Sequence, residues 1–178
     1  MSLYLLNLDA RTRALMLDEV EYDKARQELH ISPYLSGQGQ HDYEILLREA
    51  IKSGNEETLA ARLDEHRRIA RTAHRRIPSG GYSIVTVPSN AAEMIAESEF
   101  NRYYIRALCR RAIEDGIDEL IVYRAKPVHE PRATSEELVE STVDPRELLQ
   151  DLREHPGDAI PQLGIPGGPN SGISVHLP

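Results

Sequence analysis

Tryptophan is missing from this 178-residue chain, phenylalanine and cysteine occur once each, and no long apolar run interrupts a composition that is 28% charged. Each scarcity narrows the reading. One cysteine excludes an internal disulfide framework and any multi-thiolate metal site. No stretch approaches the ~20 apolar residues of a membrane span. "MSLYLLNLDARTR" carries no basic leading region, and its apolar run is short for a signal peptide, so a soluble protein of the cytosol is expected. Without tryptophan, aromatic burial falls on the eight tyrosines, whose hydroxyls need partners inside a core. The formal net charge of -8 does not draw the whole molecule to nucleic acid or to an anionic membrane.

The helical signals dominate the first third. "LYLLNL" at 3–8 reads as a strand or as the apolar staple of the next helix. Asp9 is placed to cap a helix over 10–29, where its carboxylate can accept from the free amides of the first turn. "ISPYLSGQGQ" reads as a turn punctuated by Pro33, Gly37 and Gly39. "HDYEILLREAIKSG" has Tyr43, Leu46, Leu47 and Ala50 at helical spacing, with Gly54 as a left-handed terminator. Asn55 then caps a second helix, so residues 41–67 read as a helical hairpin.

Texture changes at 68. Pro-Ser-Gly-Gly separates a basic segment from the alternating, β-branched "YSIVTV", which reads as a β-hairpin. Ser89 or Asn90 caps the longest helix, 91–115, which ends at Gly116. "LIVYR" is the best strand in the chain; a strand, helix and strand in this order could form a crossover with parallel strands. "TSEELVES" is a weak helical turn, and Asp144 and Pro145 open a short helix that ends before Gly157. The expected fold class is therefore α+β: a helical N-terminal half, a β-hairpin, one long central helix, a further strand, a short C-terminal helix and an extended tail. Residues 1–156 read as one compact domain and 157–178 as a Pro/Gly-rich arm. Leu163, Ile165, Ile173 and Val175 make that arm too apolar for a solvated tail, so it should dock on this domain or on a neighbour.

Several catalytic patterns fail on spacing. "SGG" at 79–81 lacks the following helix and the Gly-Lys-Ser/Thr of a phosphate loop. No two of the seven histidines have the i, i+4 spacing of a helical zinc pair, and no Gly-x-Ser-x-Gly elbow exists. Glu97 and Glu99 are ~200° apart on a helix and cannot act as paired carboxylates. Cys109 sits mid-helix beside Leu108 and Ala112, as a small core residue would. No catalytic residue, metal site or cofactor is expected.

What remains is cationic. "HRRIARTAHRRI" at 66–77 includes Arg67, Arg68, Arg71, Arg75 and Arg76 and no acid; it is either a solvated strand or a patch for an acidic partner. On the long helix, Glu99, Arg102, Arg106 and Arg110 line one stripe, with Glu99 able to pair with Arg102. Phe100, Tyr104 and Leu108 face the other way, and Asn101 between them needs a hydrogen-bond partner. The arginine stripe must meet water, an acidic patch of this chain, or another subunit. Arg124 and Lys126 at a strand end could hold an anion or a partner carboxylate, or form the solvent side of an edge strand.

"LYLLNLDARTRALMLDEV", "EFNRYYIRALCRRAIEDG", "VYRAK" and "PGGPNSGISVHLP" together resemble a family of short, mostly uncharacterised proteins of bacterial phage and prophage genomes. The resemblance spans nearly the whole chain and implies a phage-type setting without a known activity. The expectation that follows is a non-enzymatic structural protein of the virion head or head-tail junction. It would assemble with copies of itself or with other virion proteins, in the host cytoplasm or within the particle. Two alternatives use other chemistry. One is a small regulator or enzyme that binds nucleic acid or a phosphate-bearing ligand through the arginines at 67–76 with Arg124 and Lys126. The other is an inhibitor of a host protein. Nucleic acid is the less favoured partner, and a membrane is not expected.

Overall fold

A computed structural model describes residues 2–76, 80–129, 133–157, 161–167 and 171–178, with the side chains of Arg75 and Arg76 outside that description. The fold is mixed α+β, with a long central helix and two small antiparallel sheets. Helix α1 spans Ala10–Ala25, α2 Gly37–Ser53 and α3 Glu56–Asp64. Strands β1 (Thr72–Arg76) and β2 (Tyr82–Thr86) form the hairpin, and α4 (Ala91–Asp115) is the spine. Then come β3 (Leu120–Arg124), α5 (Ala133–Leu138), β4 (Thr142–Val143), α6 (Pro145–Glu154) and β5 (Ile173–His176).

The caps follow the sequence closely. Asp9 accepts from the Thr12 amide, Asn55 from Thr58, and Asp144 from both Arg146 and Glu147, with Pro145 opening α6. Helix α4 ends on Gly116 in the left-handed conformation. Four details differ. Helix α1 stops at Ala25 rather than at 29, where Gln27 takes a positive φ. Gly37 and Gly39 belong to the first turn of α2, capped by Ser36. Gly39 is needed there for clearance: a Cβ on it would lie 2.2 Å from the Arg68 carbonyl oxygen. Gly54 ends α2 in an extended rather than a left-handed conformation, because Asn55 immediately starts α3. Asn90 precedes α4 without a capping hydrogen bond from its side chain.

Helices α1, α3 and α6 all pack on α4. Phe100, Tyr104 and Leu108 of α4 are fully buried among Met16, Leu47, Leu59, Leu63, Leu148 and Leu152. Burial at ~25 cal/mol per Å² of apolar surface makes this contact set the main source of stability.

The expected crossover does not form. Strand β2 pairs only with β1, whereas β3 lies in a separate sheet of order β4-β3-β5, antiparallel to both neighbours. The place beside β3 is taken by the C-terminal segment. Val122 is opposite Val175 and Arg124 opposite Ile173, and Leu120, Val122, Ile173 and Val175 are all buried. Gly172, at φ 66°, leads into β5; its carbonyl accepts from Ala125 at 2.7 Å, and a Cβ there would meet the Lys126 carbonyl at 2.4 Å. Residues 2–8 form no strand. They run past the sheet, with the Tyr4 amide donating to Ala125, Asn7 to the Tyr104 hydroxyl, and Leu177 donating to the Asn7 side chain.

Candidate interaction surface

The arginine stripe of α4 meets an acidic patch of its own chain. Arg106, only 1% exposed, donates to Asp23 through Nη1 (2.6 Å) and Nη2 (2.8 Å) and to Glu19 through Nε (2.8 Å). Tyr103 donates its hydroxyl to the same Asp23 at 2.8 Å. Arg153 of α6 reaches Glu19 from the other side at 2.6 Å. Arg110 lies 3.2 Å from Asp18 and 3.6 Å from Glu19. Burial disfavours the Arg106 cation, but the hydrogen bonds and charges of Asp23 and Glu19 outweigh it and raise its pKa further. Burial first, and then the charge of Asp23, push the Tyr103 hydroxyl up.

Two members of the stripe are placed differently from expectation. Glu99 faces His30, its Oε1 3.1 Å from Nδ1, and not Arg102. Arg102 is itself buried, and its Nη1 has no hydrogen-bond partner, nor does the buried Tyr43 hydroxyl. Arg106 and Arg110 of the stripe, with Arg153, thus form a cross-brace between α1, α4 and α6.

Other candidate cations are also engaged. Arg124 donates to Glu136 and to the Ser171 carbonyl (2.9 Å), and Lys126 donates to Glu97. Arg68 is buried against Asp42 (2.8 Å) and the Arg62 carbonyl (2.7 Å). The Asp42 carboxyl is lowered by the Gln38 hydrogen bond and then by Arg68. The structure therefore does not bring Arg68, Arg124 and Lys126 together as a phosphate cradle, because each is neutralised where it stands. Arg67 and Arg71 are exposed. The side chains of Arg75 and Arg76, and Ile77, Pro78 and Ser79 of the expected hairpin turn, lie outside the described residues, as does Arg132.

The tail residues are consumed internally. Ile165, Ile173 and Val175 belong to the main core, and the amides of Gln162 and Leu163 are held by the Asp151 carboxylate at 2.9 and 2.7 Å. Asn101 finds the partner it requires here: its Nδ2 donates to the Ile173 carbonyl and its Oδ1 accepts from the Ser174 hydroxyl, both at 2.7 Å. The segment read as an arm that docks on this domain or on a neighbour is, in its described part, a sheet strand and a core layer of this domain.

Among the described residues, the hairpin packs apart from the main core. Its inner face rests on a small separate cluster of Ala73, Val87 and Ala91, with Tyr34 and Ile69 against it. The segment leading into it is tied down by the Ala70 amide on the Tyr34 carbonyl and the Ser36 amide on the Arg68 carbonyl. The outer face holds Tyr82 and Ile84, which are 71% and 70% exposed, opposite Arg76 and His74. Neither is among the contacts that the sequence singles out, although the alternation of "YSIVTV" carries the signal. Tyr4 and Leu6 form a second exposed pair, on the segment before α1.

Beside the hairpin base runs a groove of about 360 Å³ between α3 and the start of α4. Among the described residues, Ala60, Ala61 and Ala92 line it together with five carboxylates and no basic residue. Glu56 accepts from Ser2 and Leu3, and Glu97 from Lys126. Among the described residues no group of three or more His, Cys, Asp and Glu is arranged to hold a metal ion. None of the helices described is long and apolar enough to cross a membrane.

No known protein family, curated protein or solved structure matches this chain.

Proposed function

We propose that this protein is a non-enzymatic assembly protein whose contact element is the β1–β2 hairpin. The observation that carries the reading is the pair Tyr82 and Ile84: two large side chains exposed on one strand face of an element that, among the described residues, packs through its other face. An exposed aromatic beside a β-branched residue is poor surface for solvent and good surface for a protein partner. Of the other groups that sequence analysis assigns to assembly, Arg106 and Arg110 of α4 and the described tail residues already have partners within the chain, and Arg102 is buried. The place of assembly is a virion head or head-tail junction, a reading that rests on the sequence resemblance alone.

The test is site-specific photo-crosslinking in the cell that makes the protein, with a benzophenone amino acid replacing Tyr82. A discrete protein adduct at this position, missing when the probe sits at the exposed Lys52, supports the reading. Equal or no adduct formation at the two positions, with the protein folded, overturns it.

A further inference from the structure

Strands β1 and β2 are bonded to each other and to no other described strand, so each has an open edge. One hydrogen bond settles which main-chain groups face the open edge of β2. The Val87 amide donates to the Arg71 carbonyl at 3.0 Å, one step beyond the pair Thr72–Thr86. Hydrogen-bonded pairs alternate along an antiparallel ladder. Ser83 and Val85 therefore direct their amides and carbonyls to β1, while Tyr82, Ile84 and Thr86 turn theirs outward. Outside the ladder, no main-chain hydrogen bond among the described residues reaches these three. Edges are ordinarily guarded against a further strand by charge, proline or a bulge. Strand β1 contains His74, Arg75 and Arg76, but β2, Tyr-Ser-Ile-Val-Thr, has no charged residue and no proline. Its residues pair one to one with those of β1, so no bulge interrupts it.

An open edge of this kind takes an extended chain, because its donors and acceptors repeat at strand spacing. The sequence of β2 suits β2 itself. Antiparallel pairing about a two-fold axis at Ile84 sets Ile84 against Ile84 of the second copy, and Tyr82 against Thr86. All three outward-turned residues then fall at hydrogen-bonded positions. Tyr82 and Ile84, exposed in one copy, continue as a single apolar stripe across both. The two β1 strands lie three strand spacings apart, ~14 Å, so the basic strands are not adjacent. A two-fold contact of this kind closes at two copies. Resting on the assembly reading above, we propose that two copies of this chain pair through the open edges of β2, forming one four-stranded antiparallel sheet of order β1-β2-β2-β1.

Sedimentation velocity of the full chain across a concentration series tests this. The wild type should associate to a dimer. Thr86→Pro removes an outward amide and leaves the bonds to β1, Tyr82 and Ile84 in place. It should weaken association about tenfold or more, because two hydrogen bonds related by the axis are lost together. Thr86→Val, which keeps the amide, should dimerise as the wild type does. Circular dichroism of each variant shows that it is folded. Ile84→Cys should form a disulfide between copies on mild oxidation, since directly opposed residues lie within disulfide reach, whereas Lys52→Cys should not. Cys109 is buried and does not compete. A wild type that stays monomeric at every concentration overturns the pairing. So does a dimer that folded Thr86→Pro leaves intact, or one in which Ile84→Cys stays reduced. Should Thr86→Pro unfold the chain, the outcome at position 84 decides alone. A monomeric chain that still crosslinks through position 82 to a different protein removes the pairing of copies and leaves the assembly reading standing. Loss of that crosslink as well removes both.

Discussion

Arg106 of α4 and Asp23 of α1 are joined by two parallel hydrogen bonds of 2.6 and 2.8 Å inside the protein, where the guanidinium fork matches the carboxylate. Removing one partner of a buried pair leaves the other charged and unsolvated. Arg106→Met should therefore destabilise the fold by about 3–5 kcal/mol in urea titration. Arg106→Met combined with Asp23→Leu should cost less than the single change, because no orphan charge is left on Asp23. A double variant as unstable as the sum of its parts would show that the two residues do not act together.

Half of this brace is legible in the sequence and the other half is not. The spacing of Glu99, Arg102, Arg106 and Arg110 puts them on one face of a helix, whatever that face touches. Periodicity cannot say that α1 presents Glu19 and Asp23 to it, because those acids look in sequence like the solvated side of α1. Caps are readable for the opposite reason: Asp9, Asn55 and Asp144 each satisfy amides two or three residues away. The pairing of β3 with β5 joins residues about fifty positions apart, and nothing local specifies it. Asn101 comes nearest to signalling it, as a polar residue between apolar stripes that has to find a partner. The hairpin is readable from its turn residues and its alternation. Which of its faces is covered is not, because Tyr82 and Ile84 alternate as regularly as an inward-facing pair would.

Asn101 holds β5 through both ends of its amide, so Asn101→Leu should strand the Ser174 hydroxyl and the Ile173 carbonyl. The cost of such unsatisfied buried groups is about 1–3 kcal/mol. The loss should be local as well as global. Hydrogen exchange at Val175, which pairs with Val122, should accelerate more than exchange in α2. Uniform acceleration across both would mean that Asn101 contributes to the core without anchoring the strand.

Acid should destabilise the protein through its paired carboxylates. Asp9 is lowered chiefly by the Thr12 amide, Asp42 by Gln38 and Arg68, and Glu44 by Lys24, burial opposing, and Arg48. A carboxylate with a depressed folded pKa stabilises the fold above its ordinary value, here 3.8 for Asp and 4.5 for Glu, and loses that contribution as pH falls through the lower folded value. The urea midpoint should hold nearly level from about pH 7 to pH 5 and decline below, on the scale of these groups. On the alkaline side the sign reverses. Burial raises Tyr43, Tyr103 and Tyr104, so their contribution is intact below the ordinary value of 10.0 and is lost as pH climbs through the folded values. A midpoint that rises on acidification below about pH 4 would mean that other groups govern stability in acid.

Cys109 is fully buried on α4, and burial pushes its thiol well above the ordinary range. A thiol that is neither exposed nor ionised reacts slowly. Titration with a chromogenic disulfide reagent should show no modification of the native protein and one equivalent per chain in denaturant. Rapid native labelling would place Cys109 near an opening in the core that the packing around Leu108 and Ala112 does not provide.

Tyr82 and Ile84 should matter for contact and hardly at all for folding. Each is about seven-tenths exposed on the outer face of β2, so its replacement creates no cavity. Tyr82→Thr and Ile84→Thr place a β-branched residue in the strand and remove the apolar surface. Each should shift unfolding free energy by no more than about 0.5 kcal/mol, the range of ordinary surface changes. By contrast, Val85→Ser on the inner face, packed near Ala73, Val87 and Ala91, should loosen the hairpin and speed exchange of its amides. If the outer pair proved as costly as the inner residue, Tyr82 and Ile84 would be holding the hairpin to its own body, and their exposure would no longer argue for a partner.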